Sequence, residues 1–385
     1  MDFSFDADQL AFRDSVLRFA KAELNDDVIQ RDRSAQFDAQ AFKKCAEFGI
    51  QGLPIPTEYG GSAADPMTVV VAMEALGYAC RDNGLLFSIN AQMWSFELPL
   101  LEFGSEEQKK KYLPPLCRGD MVAVHAMTEP ESGSDAFSLR TQVQRKGDRY
   151  LLNGTKMFIT NAPIADAILV FATSDRQKGP AAISAFIVEK GTPGLVTTHH
   201  LDKMGLRTSP MAEVVLQDCE IPLENLVGAE GAGSAIFTSS MAWERGAILA
   251  SYLGTMQHQI ETCVKYARER KQFGRPIGRF QAVAHRIANM KVRLEAARSL
   301  VYRIAWLKQQ GKSAVLDAAI AKVFVSENLI QSCLDAVQIH GGYGYMADFG
   351  IERDLRDSIS STIYSGTSEI QRNIIAAMLG LPKVE

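Results

Sequence analysis

Apolar residues recur along this chain in three blocks, helical, then extended, then helical again. From residue 1 to about 120 the period is that of a helix. In FDADQLAFRDSVLRFAKAEL, Leu10, Val16, Leu17 and Ala20 fall on one stripe, and Phe12 and Phe19 lie seven apart. Ser105-Glu106-Glu107-Gln108 is a capping-box pattern, which predicts a helix opening there and ending at Leu113-Pro114-Pro115. LPIPTEYGGS reads as a Pro/Gly loop.

From about 122 to 230 the runs become short and β-rich: GDRYLLNGTKMFITNA, ADAILVFATS, AAISAFIVEK, GLVTTHHL and MAEVVLQDCEI. Asn-Gly, Lys-Gly-Pro and Thr-Pro-Gly turns bound them. No ten-residue helical pattern separates them, so an antiparallel sheet or small barrel is expected rather than βαβ units. After Gly231 the helical period returns. Ile287, Met290, Leu294, Ala297, Val301 and Ile304 alternate at three and four, and the run stops at Gly311. Long consecutive helices of this kind predict an up-down bundle. The predicted class is therefore α+β: an N-terminal helical domain over 1–121, a middle antiparallel β domain over 122–230 and a C-terminal four-helix bundle over 231–385.

Length agrees with several packed units, since 385 residues exceed one ordinary core. Charge is balanced, with 41 Lys and Arg against 45 Asp and Glu. Neither a basic run nor a zinc-type spacing is present, so nucleic acid and metal are not expected as partners. The six cysteines are scattered without a C-x-x-C, the pattern of a reduced protein. The acidic start MDFSFDADQLAFRDSV lacks the form of an export signal, and no apolar run is long enough to span a bilayer. The expectation is a soluble cytoplasmic protein with no membrane partner.

Three stretches carry candidate chemistry. GYGYMA (Gly342–Ala347) matches the spacing of a dinucleotide fingerprint, but a helix-like run precedes it where a strand is required, so the Rossmann reading is rejected. MTEPESGSDAFS (Met127–Ser138) is either a capped domain-crossing loop or a set of N–H and hydroxyl groups for an anion or a flavin edge. ARERKQFGRPIGRFQAV is either a solvated basic helix end or a guanidinium cluster suited to pyrophosphate, with Arg268, Arg270, Arg275 and Arg279 around two glycines.

Together with NGTKMFITNAPIAD, DAVQIHGGYGY and IYSGTSEIQR, these stretches occur in the order found in the acyl-CoA dehydrogenase family, which the chain resembles over nearly its whole length. The resemblance implies non-covalent FAD, removal of a Cα proton and a Cβ hydride from an acyl thioester, and a homotetramer. It implies that Met127, Thr128 and Ser134 contact the flavin and its phosphate region, with Phe158 against the isoalloxazine and Thr160 close by. Arg270, Phe273 and Gln281 would reach the FAD of a neighbouring subunit. Gln338, Gly341 and Gly342 would admit its adenosine end. Thr367 would cap a helix facing the cofactor phosphates, where free N–H groups favour anions, and Glu369 would cap that helix or bond near the flavin.

The reaction needs a base within reach of a weakly acidic α-proton and fixed donors for the enolate oxygen. In the short- and medium-chain branches, the residue between the aromatic and Gly-Thr is Glu; here it is Ser365, beside Tyr364. A hydroxyl without an activating partner cannot replace it. In the isovaleryl and long-chain branches the base is a Glu followed by Arg on the first long helix of the bundle, and Glu244-Arg245 matches that pair. Glu244 is the expected base, with Glu369 or no base at all as alternatives. Ser365, Arg245 and Tyr364 would line the substrate, the 365 backbone N–H serving the thioester oxygen.

WERG, the Tyr-Ser-Gly-Thr-Ser turn and NAPIAD resemble most closely a biosynthetic subgroup that oxidises prolyl, or another small acyl group, on a carrier protein. For proline, the Cα proton would go to Glu244 and a hydride to flavin N5. The implied partner is an acyl or peptidyl carrier protein, or else a CoA thioester, with an electron-transfer flavoprotein or oxygen as acceptor. The alternatives are a short- or branched-chain acyl-CoA dehydrogenase, a flavin monooxygenase or oxidase, and a non-catalytic flavoprotein.

Overall fold

The computed structural model describes residues 5–382. The outermost residues of the first and last expected domains, 1–4 and 383–385, lie outside the described residues, as does the start of the acidic N-terminal stretch.

The first helix, Ala7–Glu23, opens on a capping box in which the Asp6 side chain accepts from Gln9 N and Gln9 Oε1 accepts from Asp6 N. Val16 and Ala20 are buried, and both Phe12 and Phe19 stack on Phe48, at 6.3 and 4.2 Å between centroids. The seven-residue spacing thus places two rings on one partner. The helix opened by Ser105 runs from Glu106 to Cys117, past the two prolines expected to end it. Pro114 and Pro115 still accept bonds through their carbonyls, from Arg118 N and Asp120 N. The carbonyls of Lys110 and Lys111, which lose their partners, belong to exposed residues that water can serve.

Among the described residues, eight strands form the middle sheet: β1 (Ala123–Ala126), β2 (Gln142–Lys146), β3 (Arg149–Thr160), β4 (Ala167–Thr173), β5 (Ile183–Glu189), β6 (Leu195–Thr197), β7 (Met211–Pro222) and β8 (Leu226–Val227). Their order is β6-β7-β3-β2-β4-β5-β8, with β1 also on β4. The sheet is mixed, which corrects the antiparallel expectation. β1 runs parallel to β4 from Ala123↔Ala167 to Ala126↔Val170, and β2 meets β4 in parallel at Gln142↔Thr173. β4 is buried at every position, as a strand covered on both faces must be. Asn153-Gly154, expected to be a turn, lies within β3 at a register shift against β7. A Cβ on Gly154 would meet Thr141 Cα at 2.6 Å, so glycine here permits a close backbone approach.

The bundle contains helices Gly233–Glu269, Gln281–Gln309, Val315–His340 and Ser368–Met378. On the second, Met290, Leu294, Ala297, Val301 and Ile304 are buried while Ile287 is only partly so. The first bundle helix packs backbone to backbone on helix Pro66–Ala79 of the N-terminal domain: a Cβ on Gly77 would lie 1.9 Å from Ser251 O, and one on Gly254 2.1 Å from Glu74 O. GYGYMA follows the Val315–His340 helix with no strand before it, in agreement with rejection of the dinucleotide fingerprint. Among the described residues no helix is long and apolar enough to cross a membrane, and no cluster of potential ligands could hold a metal. All six cysteines are buried free thiols.

Candidate active site

Glu244 sits on the inner face of helix Gly233–Glu269 and is buried. Its Oε1 accepts a short hydrogen bond from Ser365 Oγ, and its Oε2 has no partner. Burial raises the carboxyl above the usual carboxylate range; the Ser365 hydroxyl and the charges of Arg245 and Lys322 pull it back. Glu244 and Arg245, adjacent in sequence, divide their contacts on one turn: Arg245 Nε donates to Ser365 O at 3.0 Å. The same carbonyl accepts from Gln371 Nε2 at 3.0 Å, and Gly366 O accepts from that nitrogen too, at 3.0 Å.

This turn is built from two left-handed residues, Ser365 with φ of 53° and Gly366 with φ of 89°. A serine in that region is uncommon and marks a backbone over-determined by its contacts. Ser365 N–H has no partner among the described residues. Thr367 closes the turn as the N-cap of Ser368–Met378, its hydroxyl accepting from Ile370 N at 3.2 Å. Glu369 is exposed in the first turn, its carboxyl held below the usual range by its own backbone N–H and by Thr367. Tyr364 is fixed by its hydroxyl, 2.5 Å from that of Tyr252, and by Phe87 against its ring at 4.8 Å.

A second group lies where β1 leaves the sheet. Met127 is buried and Thr128 O accepts from Met157 N at 2.9 Å, which joins this loop to β3. Beneath it, Lys156 Nζ donates to Met127 O at 3.1 Å and to Glu129 Oε1 at 2.7 Å. Glu129 also accepts from Arg140 N and Thr141 N. Two residues after the buried Lys156, Phe158 is 60% exposed with φ of 60°. Thr160 ends β3 opposite Met211, and Ser134 is exposed on the loop.

A third group lies elsewhere. Arg270, Phe273, Gly341 and Gly342 line one open groove of about 770 Å³ with Tyr343 and Met346. Phe273 is 92% exposed with φ of 51°. Gly341, at φ 60° and ψ −135°, has a conformation open only to glycine, and a Cβ on Gly341 or Gly342 would meet nothing in this chain. Gln338 and Gln281 are exposed at the adjoining helix ends. The arginines do not form one cluster: Arg270 lies over the Tyr343 ring and Arg275 over Phe280. Arg270 is the C-cap of the helix that carries Glu244, 26 residues further on, about 39 Å at ~1.5 Å per residue.

Glu244, Arg245, Tyr364 and Ser365 therefore meet in one place, Met127, Thr128 and Phe158 in another, and the Arg270 group in a third. Sequence reading missed Lys322, Tyr252 and Gln371. Lys322 had a signal, because it occupies the buried register Ala318-Lys322-Val325-Leu329 of an otherwise apolar stripe.

Acyl-CoA dehydrogenase N-terminal, middle and C-terminal domain models match residues 6–120, 125–219 and 231–380. The chain belongs to the acyl-CoA dehydrogenase family. It is 42% identical over 382 residues to an L-prolyl-peptidyl-carrier-protein dehydrogenase of Pseudomonas fluorescens, covering 99% of this chain and 100% of that one. Among solved structures, the prolyl acyl carrier protein oxidase AnaB is 49% identical with a TM-score of 0.97, over 98% of this chain and 100% of its own. A structure described as PigA with FAD and proline is 41% identical, also with a TM-score of 0.97, over 99% and 100%.

Proposed function

We propose that this protein is an FAD-dependent dehydrogenase of a small aminoacyl thioester, prolyl or similar, carried on a carrier protein, with Glu244 as the base. The observation that carries the chemistry is the divided carboxylate: one oxygen of Glu244 is held by Ser365 and the other is buried without a partner. Such a group is oriented and can accept a proton. The Ser365 N–H is available to the thioester oxygen, while Arg245 and Gln371 hold the carbonyl of the same residue. The substrate class is supported by the relatives, two of which are named for prolyl carrier-protein oxidation.

The residues present fit FAD. Phe158 and Phe273 are large, exposed and left-handed, so each offers a ring face that a flat apolar group could cover, and Gly341 and Gly342 leave backbone open to one. Met127, Thr128, Ser134, Phe158 and Thr160 would hold the cofactor beside Glu244, with the Thr367 cap and Glu369 at its phosphate side. When bound, FAD supplies the hydride acceptor. Arg270, Phe273, Gln281, Gln338, Gly341 and Gly342 would serve the cofactor of a second copy, a reading supported by the distance of Arg270, at the C-terminal end of the Gly233–Glu269 helix, from Glu244. That arrangement makes the protein an oligomer, a tetramer by the family's habit. The three units are taken as 1–121, 122–230 and 231–385, and free thiols support a cytoplasmic setting.

The test is anaerobic flavin bleaching with prolyl-carrier protein, prolyl-CoA and isovaleryl-CoA side by side, in the unaltered protein and in Glu244→Gln. Rapid bleaching by the carrier-bound prolyl group, lost in Glu244→Gln, is the expected result. Bleaching by isovaleryl-CoA alone would instead assign a branched-chain acyl-CoA dehydrogenase. Admitting air or an electron-transfer flavoprotein afterwards separates oxidase from dehydrogenase.

A further inference from the structure

We propose that Lys322 is a positioning residue for the base: it fixes the turn that carries Ser365 and supplies the buried positive charge that keeps the Glu244 carboxylate ionised. The inference rests on the reading of Glu244 as the base.

Lys322 is 1% exposed. Lysine is almost never fully buried unless paired, and the contrast within this chain is direct. Lys156, equally buried, holds Glu129 at 2.7 Å. Lys322 makes no ion-pair contact with a carboxylate among the described residues. Its ammonium instead donates to Ser361 O and lies 4.8 Å from the centroid of the Tyr364 ring. Ser361 and Tyr364 stand at the two ends of the segment that delivers Ser365. The next residue after Tyr364 gives its hydroxyl to Glu244. A continuous series of contacts thus runs from the Val315–His340 helix through the turn to the carboxylate on the first bundle helix.

The electrostatics run the same way. Glu244 is the negative charge that acts on Lys322. Burial pulls the Lys322 ammonium down to about 7 and pushes the Glu244 carboxyl up, and each group opposes the loss of charge on the other. The other groups facing Glu244 are Arg245 from its own helix and the Tyr364 phenol from the turn. Arg245 spends its Nε on Ser365 O, and Lys322 adds a second positive charge, of smaller effect, to that of Arg245 in opposing the burial of Glu244.

Lys322→Gln keeps a donor for Ser361 O and removes the charge; Lys322→Met removes both, and Lys322→Arg keeps the charge. The experiment measures the pH dependence of anaerobic flavin reduction by prolyl-carrier protein in FAD-loaded protein. Alongside it, the carboxylic-acid stretch of Glu244 is titrated directly by infrared difference against Glu244→Gln. Losing an opposite charge raises a carboxyl, since the charged form is then less favoured. The expected result is an upward shift in both the acidic limb and the infrared titration for Lys322→Gln, retention of the original position in Lys322→Arg, and an additional uniform fall in rate for Lys322→Met. An unmoved limb in folded Lys322→Gln overturns the proposal, as does failure of both uncharged variants to fold, which would make the residue structural only. If Glu244→Gln still reduces flavin at the original rate, the base assignment itself has failed, and that outcome is separate from the other two.

Discussion

The Ser365 hydroxyl donates to Oε1 of Glu244 across 121 residues of sequence, so the position that lacks a carboxylate holds the carboxylate supplied from elsewhere. Ser365→Ala removes a bond that favours the charged form. The Glu244 carboxyl then rises further, and at neutral pH the rate of flavin reduction should fall about tenfold, with the acidic limb displaced upward by up to about one unit. Stopped-flow reduction across a pH series measures both, and an unchanged profile would show that the hydroxyl does not act on the Glu244 carboxyl.

The Lys156–Glu129 pair is buried and lies directly under Met127 and Thr128. Removing one partner leaves the other charged without compensation, which costs about 3–5 kcal/mol. Glu129→Gln and Lys156→Met should each lower the denaturant midpoint and release FAD more readily. In the double variant the loss should be smaller than the sum, because no unpaired charge remains; strictly additive losses in urea titration would contradict the coupling.

Glu97 is fully buried; Gln92 donates to one of its oxygens and the other has no partner. Burial pushes its carboxyl up to about 8. The unfolded chain releases this proton near pH ~4.3, so the folded state binds more protons between those values. The stability that the protonated group contributes is full below about pH 4 and is lost as pH rises through about 8. Glu97→Gln should therefore gain on the unaltered protein by a few degrees in melting temperature between pH ~5 and ~8. Melting curves that stay parallel over that range would refute it.

Phe273 is 92% exposed and meets its own chain through an edge-to-face contact with Phe280. Phe273→Ser should leave the circular dichroism spectrum of the protein unaltered while weakening self-association and FAD retention together. Sedimentation velocity and flavin absorbance check the two effects; loss of neither would remove the groove from the proposed interface.

Gly77→Ala tests the contact between the domains. A methyl there would lie 1.9 Å from Ser251 O, and the two helices must separate to admit it. A loss of about 1–3 kcal/mol is expected, read from urea unfolding, and a neutral variant would mean that the interface is looser than its geometry.

The block order of helix, sheet and helix was legible because periodicity is local and long elements repeat it. Val16, Ala20 and the Met290–Ile304 stripe are buried where their spacing puts them. Strand direction was not legible, since β1 finds β4 across an intervening hairpin and nothing within AVHA or AILVFAT encodes parallel pairing. Asn153-Gly154 misled because the same residues that suit a turn also suit a bulge. At the site, Glu244 was accessible through its pairing with Ser365, yet its local sequence alone describes a surface ion pair. Lys322 and Glu97 escaped notice for a related reason: a charged letter in an apolar stripe looks like a flaw until burial shows that it is kept.

The long helix that carries Glu244 in its N-terminal third and is capped by Arg270 at its C-terminus has a genetic consequence under the two-copy reading. Each reaction centre would take its base from one chain and part of its cofactor grip from another. A chain lacking Glu244 and a chain lacking Arg270, inactive apart, would restore some working centres when produced together. Two broken alleles could then complement each other within one assembly.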